Sequence, residues 1–274
     1  MANKQFSVLS WNVEHFGRGK NKDQKEARVT RVADKIKSLD PDVMAIYEVE
    51  GKELFSEFSK KFNGYSFFIT EGRQSQEILV GIRGTINAFV TQKTEFKAGN
   101  PFLRPGTLVS LTFNTEVYSI LFLHLKSMPV PYGWGLRDHM WGKVKKLKKA
   151  LNKIVANPKY IVLGDLNTMG MNYTFGDKDI SGEEEIERME KLVKSKSYNM
   201  RLLSKDQPNT FFNGTNGTYP PANLDHVFAT NSVQIMQNNN GTDVSVLGWP
   251  QEQDKDHWIN EFSDHAILYF EVAK

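Results

Sequence analysis

Tyr160-Ile161-Val162-Leu163-Gly164-Asp165-Leu166-Asn167-Thr168 decides how this chain reads. A short apolar, β-branched run without charge ends in Gly-Asp-x-Asn. Runs of this length bounded by turn residues read as buried strands. Side chains alternate along a strand, so a period of two carries Asp165 and Asn167 to one face where the strand emerges. A carboxylate beside a carboxamide at that point suits metal or phosphate chemistry. The competing reading is an Asx-turn closing the strand, a role Asp and Asn often take. What the other strand ends carry decides between them.

Upstream, Phe6–Val13 alternates as a strand, with Ser10, Asn12 and Glu14 on one face. Val29, Val32, Ile36 and Leu39 follow helical spacing over Lys25–Leu39, and Pro41 stops that helix. Asp42–Glu48 is a second buried strand ending on an acid. A helix with Leu54, Phe55, Phe58 and Phe62 inward follows, with Gly64 as its stop. Strands are expected at Tyr65–Thr70, Glu77–Arg83, Ile86–Thr91, Thr107–Phe113 and Val117–Leu123, the last leading to His124. Met128–Leu136, rich in Pro, Gly and Trp, reads as a loop before a helix over Arg137–Ala156. That helix turns Val144, Leu147, Leu151 and Ile154 inward and Lys143, Lys145, Lys146, Lys148, Lys149 and Lys153 outward.

Downstream, Ser181-Gly182-Glu183-Glu184 is a capping box for a further helix. Asn209–Pro221 is a polar loop that delivers a strand at Asn223–Ala229, with Asp225 at its start. Asn238–Gly241 is a turn. Ser263-Asp264-His265 precedes a closing strand, Ala266–Val272. No linker, repeat or low-complexity stretch interrupts the pattern. About a dozen short strands with a few amphipathic helices imply one domain over residues 1–274, with packed sheets covered by helices.

Composition narrows the class. With 39% apolar and 24% charged residues, the 274-residue chain has the balance of a water-soluble globular protein. No apolar run approaches the roughly 20 residues that span a bilayer. The N-terminus enters a strand without a signal-peptide core, so a cytoplasmic monomer is expected; secretion would require removal of an upstream signal. Zero Cys excludes disulfides and thiolate metal sites. A net charge of +3 permits a polyanionic partner without demanding one.

Several strand ends carry residues of catalytic type: Asn12, Glu48, His124, Asp165 with Asn167, Asp225, and Asp264 with His265. Singly, each has a structural explanation as a cap or turn residue. Together they favour a site, because strand ends of layered sheets converge on one face. Oxygen donors without Cys suit Mg²⁺, Mn²⁺ or Ca²⁺ more than Zn²⁺.

In order along the chain, Ser10-Trp11-Asn12-Val13-Glu14, Glu48, His124-Leu125-Lys126-Ser127, Gly164-Asp165-Leu166-Asn167, Leu224-Asp225-His226-Val227-Phe228 and Ser263-Asp264-His265 resemble the endonuclease/exonuclease/phosphatase superfamily, the deoxyribonuclease I-like proteins. The resemblance spans Ser10 to His265. It implies an α/β (α+β) four-layer sandwich, two packed mixed β-sheets flanked by helices. It also implies phosphoester hydrolysis dependent on a divalent metal, Mg²⁺ with Mn²⁺ or Ca²⁺ as alternatives.

Carried over residue by residue, Glu48 is the principal metal carboxylate, with Asn12 and Asp264 completing or orienting the metal shell. Asp225 polarises His265, which acts on the water or the phosphorane. Asn167 and His124 hold phosphate oxygens, and Asp165 orients the nucleophile or takes a proton. Glu77 resembles the acid that orients this histidine, and Arg104 a phosphate-contacting arginine.

There are departures. Tyr47 stands before Glu48 where many members have Gln. Glu50 stands where deoxyribonuclease I has an arginine used in the minor groove, which argues against groove binding of that kind.

As substrate, nucleic acid is favoured, DNA over RNA. The Lys-rich helix and the loop Arg18–Lys22 would then contact phosphates, and Tyr132, Trp134 and Trp141 would wedge or stack on bases. Trp249 and Trp258 either line a rim or pack. The alternative substrate is a small or lipid phosphoester.

Overall fold

The computed structural model describes residues 3–18, 22–173, 175–176 and 178–274. Gly19, Lys20 and Asn21 of the basic loop lie outside the described residues. The chain runs β1 (Lys4–Phe16), α1 (Lys22–Leu39), β2 (Val43–Val49), α2 (Lys52–Ser59), β3 (Tyr65–Ile69), β4 (Glu77–Arg83), β5 (Asn87–Lys93), β6 (Gly106–Phe113) and β7 (Glu116–His124). It continues as α3 (Pro131–Ile154), β8 (Lys159–Asp165), α4 (Gly182–Lys194), β9 (Met200–Leu202), β10 (Asp225–Thr230), β11 (Ile235–Met236), β12 (Ser245–Leu247), α5 (Lys255–Glu261) and β13 (Ile267–Ala273).

One sheet has the order β11-β13-β1-β2-β4-β3 with β12 also on β13; the other has the order β5-β6-β7-β8-β10-β9. Each is mixed, because β1–β2 and β7–β8 pair in parallel and their neighbours antiparallel. The parallel pairs are the two joined through a helix, α1 and α3, as a parallel connection requires.

β8 shows why the layers stack. Ile161 and Leu163 belong to the core between the sheets, together with Val8, Ile120 and Val227. Tyr160 and Val162 pack outward against Met140, Trp141 and Val144 of α3 and Met189 and Val193 of α4. A strand buried on both faces reads as a continuous apolar run, and here each face has its own core. The result is the expected four-layer arrangement of two mixed sheets with flanking helices.

Helix α3 differs from expectation at both ends. It starts at Pro131, so Tyr132, Gly133 and Trp134 lie in its first turns and not in a loop. Pro at the first helical position loses no hydrogen bond and presets φ, which is why this Pro-Gly-Trp segment is helical. The earlier start also defines the buried stripe: Arg137, Met140, Trp141, Val144 and Lys148. Lys148 is thereby buried and Ile154 is 82% exposed, the reverse of the expected pattern. Trp141, Trp249 and Trp258 are core residues, each 5% exposed or less. The capping box at Ser181 is present, with its hydroxyl accepting from Glu184 N and the Glu184 carboxylate accepting from Ser181 N.

Candidate active site

Strand register assembles one wall of the site. His124 on β7 pairs with Asp165 on β8, and Asp165 with Asp225 on β10. Since β10 runs antiparallel to β8, its first residue lies beside the last residue of β8. Gly164 makes this row possible. Its φ is +138°, and a Cβ there would lie 2.0 Å from Leu123 O and 2.7 Å from the Tyr47 hydroxyl. Asp165 O accepts Leu125 N at 2.9 Å, tying the two strand ends together.

The opposite wall comes from the other sheet, where β1 and β2 both lose register just before the site. Such irregularities re-aim side chains. Glu48 has φ +59° and His15 φ +47°. Asn12 Nδ2 donates to Glu48 Oε1 at 3.2 Å and to Asp165 Oδ2 at 2.9 Å, so one amide joins the two walls. Asn12 Oδ1 accepts Glu14 N, turning the amide nitrogen toward the acids. Glu48 Oε2 accepts His15 N at 3.1 Å and Gln76 Nε2 at 2.7 Å.

The histidines differ in charge. His265 Nδ1 bonds Asp225 Oδ2 at 2.8 Å, and its Nε2 lies 4.0 Å from Asp165 Oδ2. Burial favours the neutral ring, but Asp225, Asp165 and Asp264 outweigh it and push its pKa well above the usual value. His124 Nε2 lies 3.4 Å from Asp165 Oδ2 and 3.7 Å from Glu48 Oε1. Burial, then Arg104, His265 and Lys126, keep this ring neutral. A neutral ring that points its Nε2–H at the acids leaves Nδ1 as an acceptor, and that atom has no partner among the described residues.

The acids are crowded. Burial, with Asp225 and Glu48, raises the Asp165 carboxyl to about 7, against His265 and the Asn12 hydrogen bond. Burial, with Glu14 and Glu48, raises Asp264 to about 6, against His265.

The expected site residues divide as follows. Asn12, Glu48, His124, Asp165, Asp225 and His265 are brought together. Asn167 adjoins them with φ +50°. Its backbone N–H donates to Asp165 Oδ1 at 3.1 Å and its Nδ2 to Leu125 O at 3.2 Å. The Asx-turn and the site are therefore the same feature, and the turn, not strand alternation, places Asn167. Arg104 donates to Gln76 Oε1 and lies in the field of Glu48 and Asp165.

Glu77 is a correction. Its carboxylate accepts Thr70 Oγ1 and Gln74 Nε2, and it does not reach His124. Gln76, in the bend just before β4, reaches the site instead, donating to Glu48 Oε2 and accepting from Arg104. Glu50 is held by His15 and Arg18.

Sequence reasoning missed Gln76, His15, Thr210 and Arg137. Thr210 Oγ1 accepts both Leu224 N and Asp225 N at 3.0 Å, fixing the start of β10. Arg137 forms a buried pair with Glu185 and donates to Lys126 O, Met128 O and Gly170 O, while Glu185 accepts Gly170 N. It clamps, from behind, the two loops that follow His124 and Asn167. Its position seven residues before Val144 on a helical stripe was the available signal.

Among the described residues, two groups of side chains have the spacing to hold a cation: Glu48, His124 and Asp165, and Asp165, Asp225 and His265. The first fits a hard divalent ion best. It offers carboxylate oxygens from both walls. Asp264, expected in the metal shell, belongs to neither group.

A four-layer sandwich with this acid–histidine centre defines a phosphoesterase of the deoxyribonuclease I-like class. The chain belongs to the endonuclease/exonuclease/phosphatase family, whose model matches residues 9–265. No curated protein sequence matches it. Among solved structures, truncated TDP2 from Caenorhabditis elegans superposes with TM-score 0.68 at 15% identity, covering 98% of each chain. TDP2 from D. rerio complexed with a single-strand DNA product gives 0.63 at 16%, covering 98% and 99%. A mannosyl-6-phosphatase from Bacteroides thetaiotaomicron gives 0.62 at 14%, covering 98% and 100%.

Proposed function

We propose that this chain is a divalent-metal-dependent phosphodiesterase that hydrolyses DNA by in-line attack of water. The observation that carries the reading is the pairing of a cationic His265, fixed by Asp225 at 2.8 Å, with an Asp165 carboxyl raised to about 7. One group stabilises negative charge and the other accepts a proton near neutral pH. Glu48 would hold a Mg²⁺ or Mn²⁺ ion, which would neutralise charge at the phosphate and leaving oxygen.

The chain's own residues do the rest. His265 Nε2–H and His124 Nε2–H donate to phosphate oxygens. Asn167 and Arg104 fix the phosphate's orientation, and Asp165 takes the proton of the attacking water. Asn12 holds Glu48 and Asp165 at a constant separation. DNA is preferred as substrate because the D. rerio TDP2 structure of the same fold holds a DNA product.

An activity panel with Mg²⁺ or Mn²⁺ tests this, offering plasmid, single-stranded DNA, RNA, sugar phosphate and sphingomyelin. DNA cleavage is expected to fall steeply with salt. It is also expected to drop by roughly 10² to 10⁴-fold in Asp165→Asn and in His265→Ala, with both variants still folded. DNA cleavage that survives either substitution refutes the assignment. Turnover of sugar phosphate alone moves the protein to the phosphatases.

A further inference from the structure

Three segments that deliver phosphate-facing residues each carry an exposed apolar side chain nearby. Phe102, beside Arg104, is 66% exposed; Met128, beyond His124, is 51% exposed; Tyr173, beyond Asn167, is 49% exposed. Tyr132, in the first turn of α3, is 59% exposed. Hydrogen bonds gather them. Asn100 Oδ1 accepts Phe102 N at 2.9 Å, and its Nδ2 donates to the Tyr132 hydroxyl at 3.4 Å. Asn172 N donates to Pro129 O at 2.7 Å, drawing Tyr173 toward Met128, and Met128 N contacts Met169 Sδ at 3.2 Å. The opposite rim, beyond Asn12 and Glu48, is charged: His15, Arg18 and Glu50 bond one another there.

An exposed apolar patch beside a phosphate site marks what accompanies the phosphate. We infer that Phe102, Met128, Tyr132 and Tyr173 form a stacking platform for unpaired bases flanking the scissile phosphate, so that the site takes single-stranded nucleic acid. The inference rests on the nuclease reading above. Unpaired bases offer π-faces to aromatic rings, whereas paired bases keep theirs within the duplex. A bilayer fits less well, since membrane-surface docking pairs apolar tips with outward basic side chains. Two cations bordering this rim turn inward, Lys97 to Gln74 and Pro101 O and Arg104 to Gln76.

The test compares cleavage, with Mn²⁺, of a single-stranded oligodeoxynucleotide and of the same backbone built from abasic residues. The wild type is expected to favour the base-bearing strand by about tenfold or more. The variant carrying both Phe102→Ala and Tyr132→Ala is expected to lose that preference by slowing on the base-bearing strand alone. Both side chains are exposed, so its thermal unfolding should match the wild type. Equal wild-type rates on the two strands, or equal losses on both in the variant, overturn the platform. Binding to phosphatidylserine vesicles that depends on Phe102 and Tyr132, without strand preference, overturns it in favour of a bilayer. A wild type that cleaves no oligonucleotide but hydrolyses a sugar phosphate refutes the nuclease reading, which is a different result from a nuclease indifferent to bases.

Discussion

The two walls of the site are held by different means. His124, Asp165 and Asp225 are register neighbours on three strands, almost wholly buried, with the loops behind them clamped by backbone bonds and the Arg137–Glu185 pair. Asn12, Glu48, His15 and Gln76 stand where β1 and β2 lose register, and bonds between their polar groups hold them. The first wall is fixed by the sheet itself. The second is fixed by exchangeable side-chain contacts, so it is the wall that can adapt to a cation. Asn12 spans the two and sets their distance.

The strongest challenge to this contrast lies behind the first wall. Arg137→Ala leaves Glu185 buried and unpaired, and should destabilise the protein by about 3–5 kcal/mol in urea unfolding. Gln76→Ala, on the second wall, should lower stability by about 1 kcal/mol or less. It should instead weaken the apparent affinity for the activating metal by about 10- to 100-fold, measured by metal titration of activity, because Gln76 bonds the Glu48 carboxylate proposed to hold that metal. Comparable destabilisation by both substitutions would erase the distinction.

A smaller effect concerns Lys205, whose ammonium bonds Asn223 Oδ1 and Asp225 O behind the first wall. Burial lowers its pKa from 10.5 to about 7. Between these values the unfolded chain binds the proton that the folded one has released, so stability rises with pH across that window. Below about 7 the folded protein bears the full penalty of a buried charge. Lys205→Met should flatten the slope and stabilise the protein at neutral pH, as read by unfolding midpoints from pH 7 to 10. An unchanged slope would show that Lys205 is solvated.

Much of the first wall was legible in the sequence, because buried strands ending abruptly in Asp or His are a local signal. Glu48 and Asn12 were legible for the same reason, although the register breaks that aim them were not. Asn167 was found by way of strand alternation, but a left-handed turn places it. Glu77 was chosen in place of Gln76 because a charge draws attention that an amide does not, yet the bend before β4 turns the amide to Glu48. The start of α3 was hidden by Gly and Trp residues that read as a loop, and Arg137 was hidden with it. Strands β9, β11 and β12 are too short to carry a period. Their existence depends on longer strands already in place.

The hydrogen bond from Ser263 Oγ to Asn12 O joins residues 251 apart in sequence, and β1 pairs with β13 along most of its length. During synthesis, Asn12 and Glu48 emerge from the ribosome long before His265 does. A growing chain thus holds one wall of the candidate site for most of its translation, and the site as proposed is complete only once β13 docks beside β1.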